Sequence, residues 1–139
     1  MKLPDLKAGI STSVQKVITR EDTALNFGSG ALDNLLATPT LAALMIEAAV
    51  KLIDPLLPEG YITIGKNLEI EHENPTKEGI TVTVTAKLLE SVGNRVSLEI
   101  TAADEIGKIG IGYHERYIVA KNIFMSKVDE RFGPLQGRP

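Results

Sequence analysis

Apolar and polar residues alternate strictly through "ITVTVTAKLLE" (80–90), with Val82, Val84, Ala86 and Leu88 on one face and Thr81, Thr83, Thr85 and Lys87 on the other. A period of two predicts a half-buried strand. "STSVQKVITR" (11–20), "YITIGKNLEIEH" (61–72), "RVSLEITAA" (95–103) and "KIGIGYHERYIVA" (108–120) read as further strands, and "ENPTKEG", "SVGN" and "DEIG" as the turns between the last four. The period changes in "LATPTLAALMIEAAVKLIDPLLPEG". There Thr38 is expected to cap a helix, Pro39 to occupy its first position, Lys51 to suit its last turn and Pro55 to stop it. Between Leu41 and Val50 only Glu47 is charged, so the helix has no polar face and is expected to be buried all round. Residues 21–34 suit a mobile connection, residues 121–132 a short terminal helix, and "GPLQGRP" a loose tail.

The order is therefore a strand, a buried helix and four strands joined by short turns. Short turns demand antiparallel neighbours, because parallel pairing needs long crossovers. One sheet encloses a helix without a polar face only by curling around it, or with a second subunit over what remains. This order is that of the α+β hot-dog fold, an antiparallel sheet wrapped around a central buried helix. The exposed sheet edges and the apolar helix predict a homodimer, or a tetramer made of two such dimers.

Length and composition narrow the class. At 139 residues the chain fits a single domain over 1–139, with a core of about 11–120 and a C-terminal extension over 121–139. A net charge of -3 without a basic run, and only three Tyr and three Phe, argue against nucleic-acid binding. The chain has no cysteine, which removes disulfides and thiolate chemistry, and neither histidine shows metal-ligand spacing. "MKLPDLKAGIS" lacks the apolar run of a signal peptide, and the stretch from Leu41 to Val50 is too short to span a bilayer. A cytoplasmic protein with no membrane partner is expected.

"NLEIEHENPT" (67–76) holds one of the two histidines. At period two Leu68, Ile70 and His72 share a face, and Glu69, Glu71 and Glu73 take the other. The imidazole thus falls on the apolar side, as a core histidine satisfied by a backbone carbonyl or as a functional group near its neutral range.

"LATPTLAALMIEAAV", "IGKNLEIEHENPTKEGITVTVTAKL" and "IGIGYHERYIV", in this order and spacing, resemble the fluoroacetyl-CoA thioesterase family of hot-dog proteins. The resemblance runs over about residues 35–120. It implies hydrolysis of acyl-CoA thioesters by a homodimer with active sites at the subunit interface, and no cofactor beyond the coenzyme A of the substrate. By the same resemblance Thr38 and His72 fall on the family's catalytic threonine and histidine. Gly65 falls on a glycine whose amide meets the substrate carbonyl, and Arg116 on an arginine near the substrate. The sequence departs from the family in the helix, where Ile46 holds the family's glutamate position and Glu47 comes one residue, about 100° of rotation, later. It departs again at the phenylalanines that gate the fluoroacetyl pocket, which are Ser29 and Leu32 here. Leu32 and Ile46 are therefore expected to line the substrate site.

Thioester hydrolysis needs a nucleophile or held water, a base for its proton and donors for the oxyanion. His72 is the candidate base. Thr38 positions water or accepts the acyl group, besides capping the helix. The free amides of the helix N-terminus and the Gly65 amide are candidate oxyanion donors. Glu47 is a catalytic carboxylate, paired with Thr40 in a displaced site, or an ion-pair partner of Lys51. Arg116, on one strand face with His114, binds pantetheine or phosphate oxygens or pairs with an interface carboxylate. Against the enzyme stands a non-catalytic hot-dog module that binds an acyl-CoA or similar ligand. Ile46 at the glutamate position is its main support.

Overall fold

The computed structural model describes residues 3–137. Five strands, β1 (Ser11–Val17), β2 (Tyr61–His72), β3 (Thr81–Val92), β4 (Arg95–Ala103) and β5 (Lys108–Ala120), form one sheet in the order β1-β3-β4-β5-β2. Every pairing is antiparallel. Helix α1 (Thr38–Ile53) lies between β1 and β2 in the chain, and α2 (Lys121–Phe132) follows β5. This is the hot-dog arrangement.

The alternation seen in the sequence places the faces. Val82, Val84, Ala86 and Leu88 of β3, and Val96, Leu98, Ile100 and Ala102 of β4, are buried on the face that α1 covers. Helix α1 answers with Leu41, Leu44, Met45, Ala48, Ala49, Leu52 and Ile53, an i, i+3, i+4 set that forms one apolar stripe. The glycines of β5 make room for it. A Cβ on Gly110 would lie 3.2 Å from Leu41 Cδ2, and one on Gly112 would lie 2.7 Å from Met45 Sδ. Gly110 and Gly112 are thus packing devices.

One expectation is corrected here, and another holds on one side within a single chain. Helix α1 is covered on its sheet side, and Pro39, Ala43, Ile46, Glu47 and Lys51 are exposed, because a five-stranded sheet of one chain covers one side of a helix. Thr38 does not cap α1. The N-cap is Ala37, which makes no side-chain cap bond, and Thr38 occupies the first helical position with its hydroxyl directed elsewhere. At the C-terminal end of the chain, residues 133–135 of the expected loose tail form a short 3₁₀ turn, and its last two residues lie outside the described ones.

The segment before α1 is tied down by backbone bonds. The Ala24 amide donates to the Leu35 carbonyl, Leu36 to Thr76 and Ala37 to Asp22. Residues 35–37 are therefore anchored to two parts of the chain, and Thr38 follows them into the helix at a fixed place. Among the described residues no helix is long and apolar enough to cross a membrane.

Candidate active site

His72 ends β2, and its placement follows from the sheet register. It pairs with Gly110 of β5, and Ile70 pairs with Gly112, so both side chains point to the α1 side. Just beyond, the Glu73 and Asn74 amides both donate to the Ile109 carbonyl, and Asn74 Nδ2 donates to the Lys108 carbonyl at 2.9 Å. These bonds hold the strand end against β5. They bring the ring of His72 to the first turn of α1, where Thr38 Oγ1 and His72 Nδ1 are 2.8 Å apart.

The two ring nitrogens have different surroundings. Nδ1 meets Thr38, whereas Nε2 is buried without a hydrogen-bond partner among the described residues. Burial lowers the His72 pKa from its ordinary value, and the nearby Asn74 backbone offsets part of that effect. The imidazole is therefore neutral at physiological pH, with a lone pair available to a proton.

Thr38 and His72 stand in a cleft of about 490 Å³ whose other walls are Ala24, Phe27, Gly28, Leu32, Leu35, Leu36, Ala37, Pro39 and Pro75. Apart from the threonine and the histidine, these are apolar or glycine side chains. Leu32 is 58% exposed at the rim. Of the two gate positions picked out in the sequence, Leu32 lines the cleft and Ser29 does not. Phe27, which the sequence analysis passed over, supplies the aromatic wall. Its only sequence signal is an isolated apolar residue in a glycine-containing connection.

The first turn of α1 offers fewer donors than expected. Pro39 has no amide hydrogen, and the Thr40 and Leu41 amides both donate to the Ala37 carbonyl. The Thr38 amide is the first-turn donor left for a ligand.

Glu47 and Ile46 do not line this cleft. Glu47 is exposed and makes no ion pair among the described residues, and Lys51 Nζ donates instead to the Ser13 carbonyl at 2.7 Å. The local Glu47–Lys51 pair is thereby replaced by a tie between α1 and β1.

Gly65 and Arg116 form a second cluster at the other end of β2. They are direct partners in the β2–β5 register, next to an irregularity between Gly65 and Asn67. Arg116 is 7% exposed, and its Nε and Nη2 donate to Thr63 Oγ1 and the Thr63 carbonyl at 2.8 Å each. Its Nη1 lies 3.2 Å from His114 Nε2. Thr63 Oγ1 donates in turn to Asp54 at 2.5 Å, and His114 Nδ1 is 2.7 Å from the Asn67 carbonyl. Burial lowers the His114 pKa, the Asn67 carbonyl opposes that, and the Arg116 charge adds to the lowering. Seven residues of strand put this cluster roughly 20 Å from His72 on the same face of the sheet, so one chain does not bring the two together.

A pH dependence of stability follows from the two histidines. Their folded pKa values lie below that of the unfolded chain, so as pH falls the unfolded state takes up protons first. Stability should be flat above neutrality and fall between about pH 7 and pH 5. Asp22 and Asp104, held below the ordinary carboxylate range, act only at lower pH. Thermal melting across that window checks this, and His72→Gln should flatten part of the slope. A melting temperature that rises on acidification would contradict it.

The molecule has clear relatives. The family described as fluoroacetyl-CoA-specific thioesterase matches residues 18–122. The fluoroacetyl-CoA thioesterase of Streptantibioticus cattleyicolor is 35% identical over 97 residues, 70% of each chain. A hot-dog-like protein from Thermanaerovibrio acidaminovorans superposes with a TM-score of 0.85 at 31% identity, over 90% of this chain and 92% of that one. A variant of the fluoroacetyl-CoA-specific thioesterase FlK in complex with fluoroacetate and CoA does so with a TM-score of 0.79 at 29% identity, over 86% and 99%. On the span of the family match and the identity to the curated relative, the chain belongs to the fluoroacetyl-CoA-specific thioesterase family.

Proposed function

We propose that this protein hydrolyses small acyl-CoA thioesters to the free acid and CoA, as a homodimer whose sites are shared between subunits. The observation that carries this reading is the 2.8 Å contact of Thr38 Oγ1 with His72 Nδ1 inside an apolar cleft. A hydroxyl bonded to a neutral, half-buried imidazole is a nucleophile with its base in place. Nδ1 is the ring nitrogen that meets the Thr38 hydroxyl, and Nε2 is enclosed.

The chemistry then runs through two transfers on the same pair. Thr38 Oγ1 attacks the thioester carbonyl as its proton passes to His72 Nδ1. The tetrahedral intermediate collapses, the C–S bond breaks, and the imidazolium returns the proton to the departing thiolate. A water takes the place of CoA, gives its proton to Nδ1 and attacks the acyl-threonine ester. Collapse releases the acid and restores the threonine hydroxyl with that proton. The Thr38 amide, at the positive end of α1, is the donor this chain offers to the oxyanion.

A dimer supplies the rest. Strand β2 is an edge of the sheet, and its unpaired backbone groups invite a second strand. Residues 65 and 72 lie symmetrically about the middle of the 65–72 stretch. Antiparallel pairing of two β2 strands around a two-fold axis there would set Gly65 and Arg116 of one subunit beside His72 of the other. It would also cover the open apolar residues of α1. The Gly65 amide would then complete the oxyanion donors, with Arg116 close by.

Release of free CoA from a panel of acetyl-, propionyl-, butyryl-, benzoyl- and fluoroacetyl-CoA tests the reading. Turnover is expected without a preference for fluoroacetyl, because the cleft is apolar and Leu32 stands at the gate position that lines it. Mass spectrometry of acid-quenched enzyme should show the acyl group on Thr38. Binding of the thioesters without release of CoA would favour the non-catalytic module. Turnover that survives Thr38→Ala would remove the acyl-threonine step.

A further inference from the structure

Arg116 is held in an unusual way for a buried cation. It makes no ion pair among the described residues. Its three contacts are a hydroxyl, a carbonyl and an imidazole nitrogen, all neutral groups. The nearest negative charge acts at one remove: Asp54 accepts from the Thr63 hydroxyl, and that same oxygen accepts from Arg116 Nε. A hydroxyl between carboxylate and guanidinium fixes the geometry while leaving the positive charge unneutralised at contact.

His114 closes the cluster from the other side. Its Nδ1 donates to the Asn67 carbonyl, so Nε2 carries the lone pair that Arg116 Nη1 needs as acceptor. Asn67 borders the β2 irregularity beside Gly65. The guanidinium is thus gripped at Nε, Nη1 and Nη2, and two N–H groups have no partner among the described residues. At Gly65 a Cβ would lie 3.2 Å from Nη1 and 3.5 Å from His114 Cε1. The missing side chain leaves Nη1 against bare backbone, where a ligand oxygen can approach.

We propose that Thr63, Asp54 and His114 are positioning residues that aim the Arg116 guanidinium at the thioester carbonyl or its oxyanion beside Gly65. The inference rests on the thioesterase reading given above. Each of the three acts through Arg116 and touches no substrate.

The test uses the full-length protein with the thioester it turns over fastest. Thr63→Val keeps the shape and removes the hydroxyl, and should lower kcat/KM by about 10–100-fold, the size of a lost hydrogen bond to a charged group. Thr63→Ser restores the hydroxyl and should stay within about 3-fold of wild type. On an Arg116→Gln background, Thr63→Val should change kcat/KM by less than about 2-fold, because its partner has gone. Full activity of Thr63→Val, or losses that multiply in the double variant, would overturn the proposal. Should Thr63→Val not fold, Asp54→Asn, at a half-buried site, carries the same cycle and the same criteria.

A wild type that hydrolyses none of the panel would end the enzyme reading by itself. The variants are then titrated with acetonyl-CoA, in which a methylene separates sulfur from carbonyl and hydrolysis is impossible. A roughly tenfold weaker affinity of Thr63→Val but not of Thr63→Ser upholds the positioning role. Equal affinities, or no binding by the wild type, overturn it.

Discussion

His72→Ala should lower kcat/KM by about 10²–10⁴-fold on the best thioester, the range for removal of a general base. The expectation comes from a single geometry. Nδ1 is 2.8 Å from the Thr38 hydroxyl, and Nε2 is enclosed. Without it both proton transfers of the proposed cycle lose their acceptor, and an unassisted threonine is a weak nucleophile. The lowered pKa of His72 adds a signature: activity of the wild type should hold from alkaline pH down past neutrality and fall only below the ordinary histidine range. Truncation also opens a space at the end of β2, so stability must be measured alongside. A variant that melts near the wild type and loses activity supports the base. Near-wild-type turnover with a lower melting temperature would make His72 a core residue.

The second large effect is a recovery. His72→Ala and Gly65→Val should each be nearly inactive as homodimers, the latter because a side chain there meets Arg116 and His114 and blocks the close approach. After the two are unfolded together and refolded, half of the dimers are expected to be mixed. One of the two sites in a mixed dimer takes His72 from the Gly65→Val chain and Gly65 from the His72→Ala chain. Activity should return to about a quarter of wild type, a gain far above either parent. No recovery from a mixture shown to contain heterodimers would mean that the two ends of β2 serve separate purposes. A monomeric wild type in light scattering would exclude the shared site outright.

What the chain's sequence makes legible divides along the range of the interactions. The strict alternation of 80–90 was enough to place Val82, Val84, Ala86 and Leu88 inside, and all four are fully buried. The same reasoning put His72 on the apolar face with Leu68 and Ile70, and left Glu69, Glu71 and Glu73 to solvent. Helix α1 was legible between Thr38 and Pro55 because apolar spacing and proline punctuate it. Its burial was not. The residues of α1 are apolar on every side, and composition does not say which side the sheet covers. Only packing exposes Ile46 and Glu47 and sends Lys51 to the Ser13 carbonyl.

The Arg116 cluster was legible only in part. His114 and Arg116 are two apart on one strand, so their common face follows from the period. Thr63 and Asp54 carried no such signal, since an Asp in a turn and a Thr in a strand are ordinary in those places. Their link depends on Asp54 following α1 closely enough to meet β2.

By itself, the sequence determined the strands, the helix, their order and the face each side chain takes, because these depend on residues within a few positions of one another. Only the tertiary structure decided that the Thr38 hydroxyl meets His72, 34 residues away, and not its own helix. Strand spacing alone separates Gly65 from His72, but only the sheet register decided that Arg116 stands beside Gly65 and so shares that distance. Periodicity fixes direction at each residue, but distance between remote residues depends on how strands pair and how the helix packs across them.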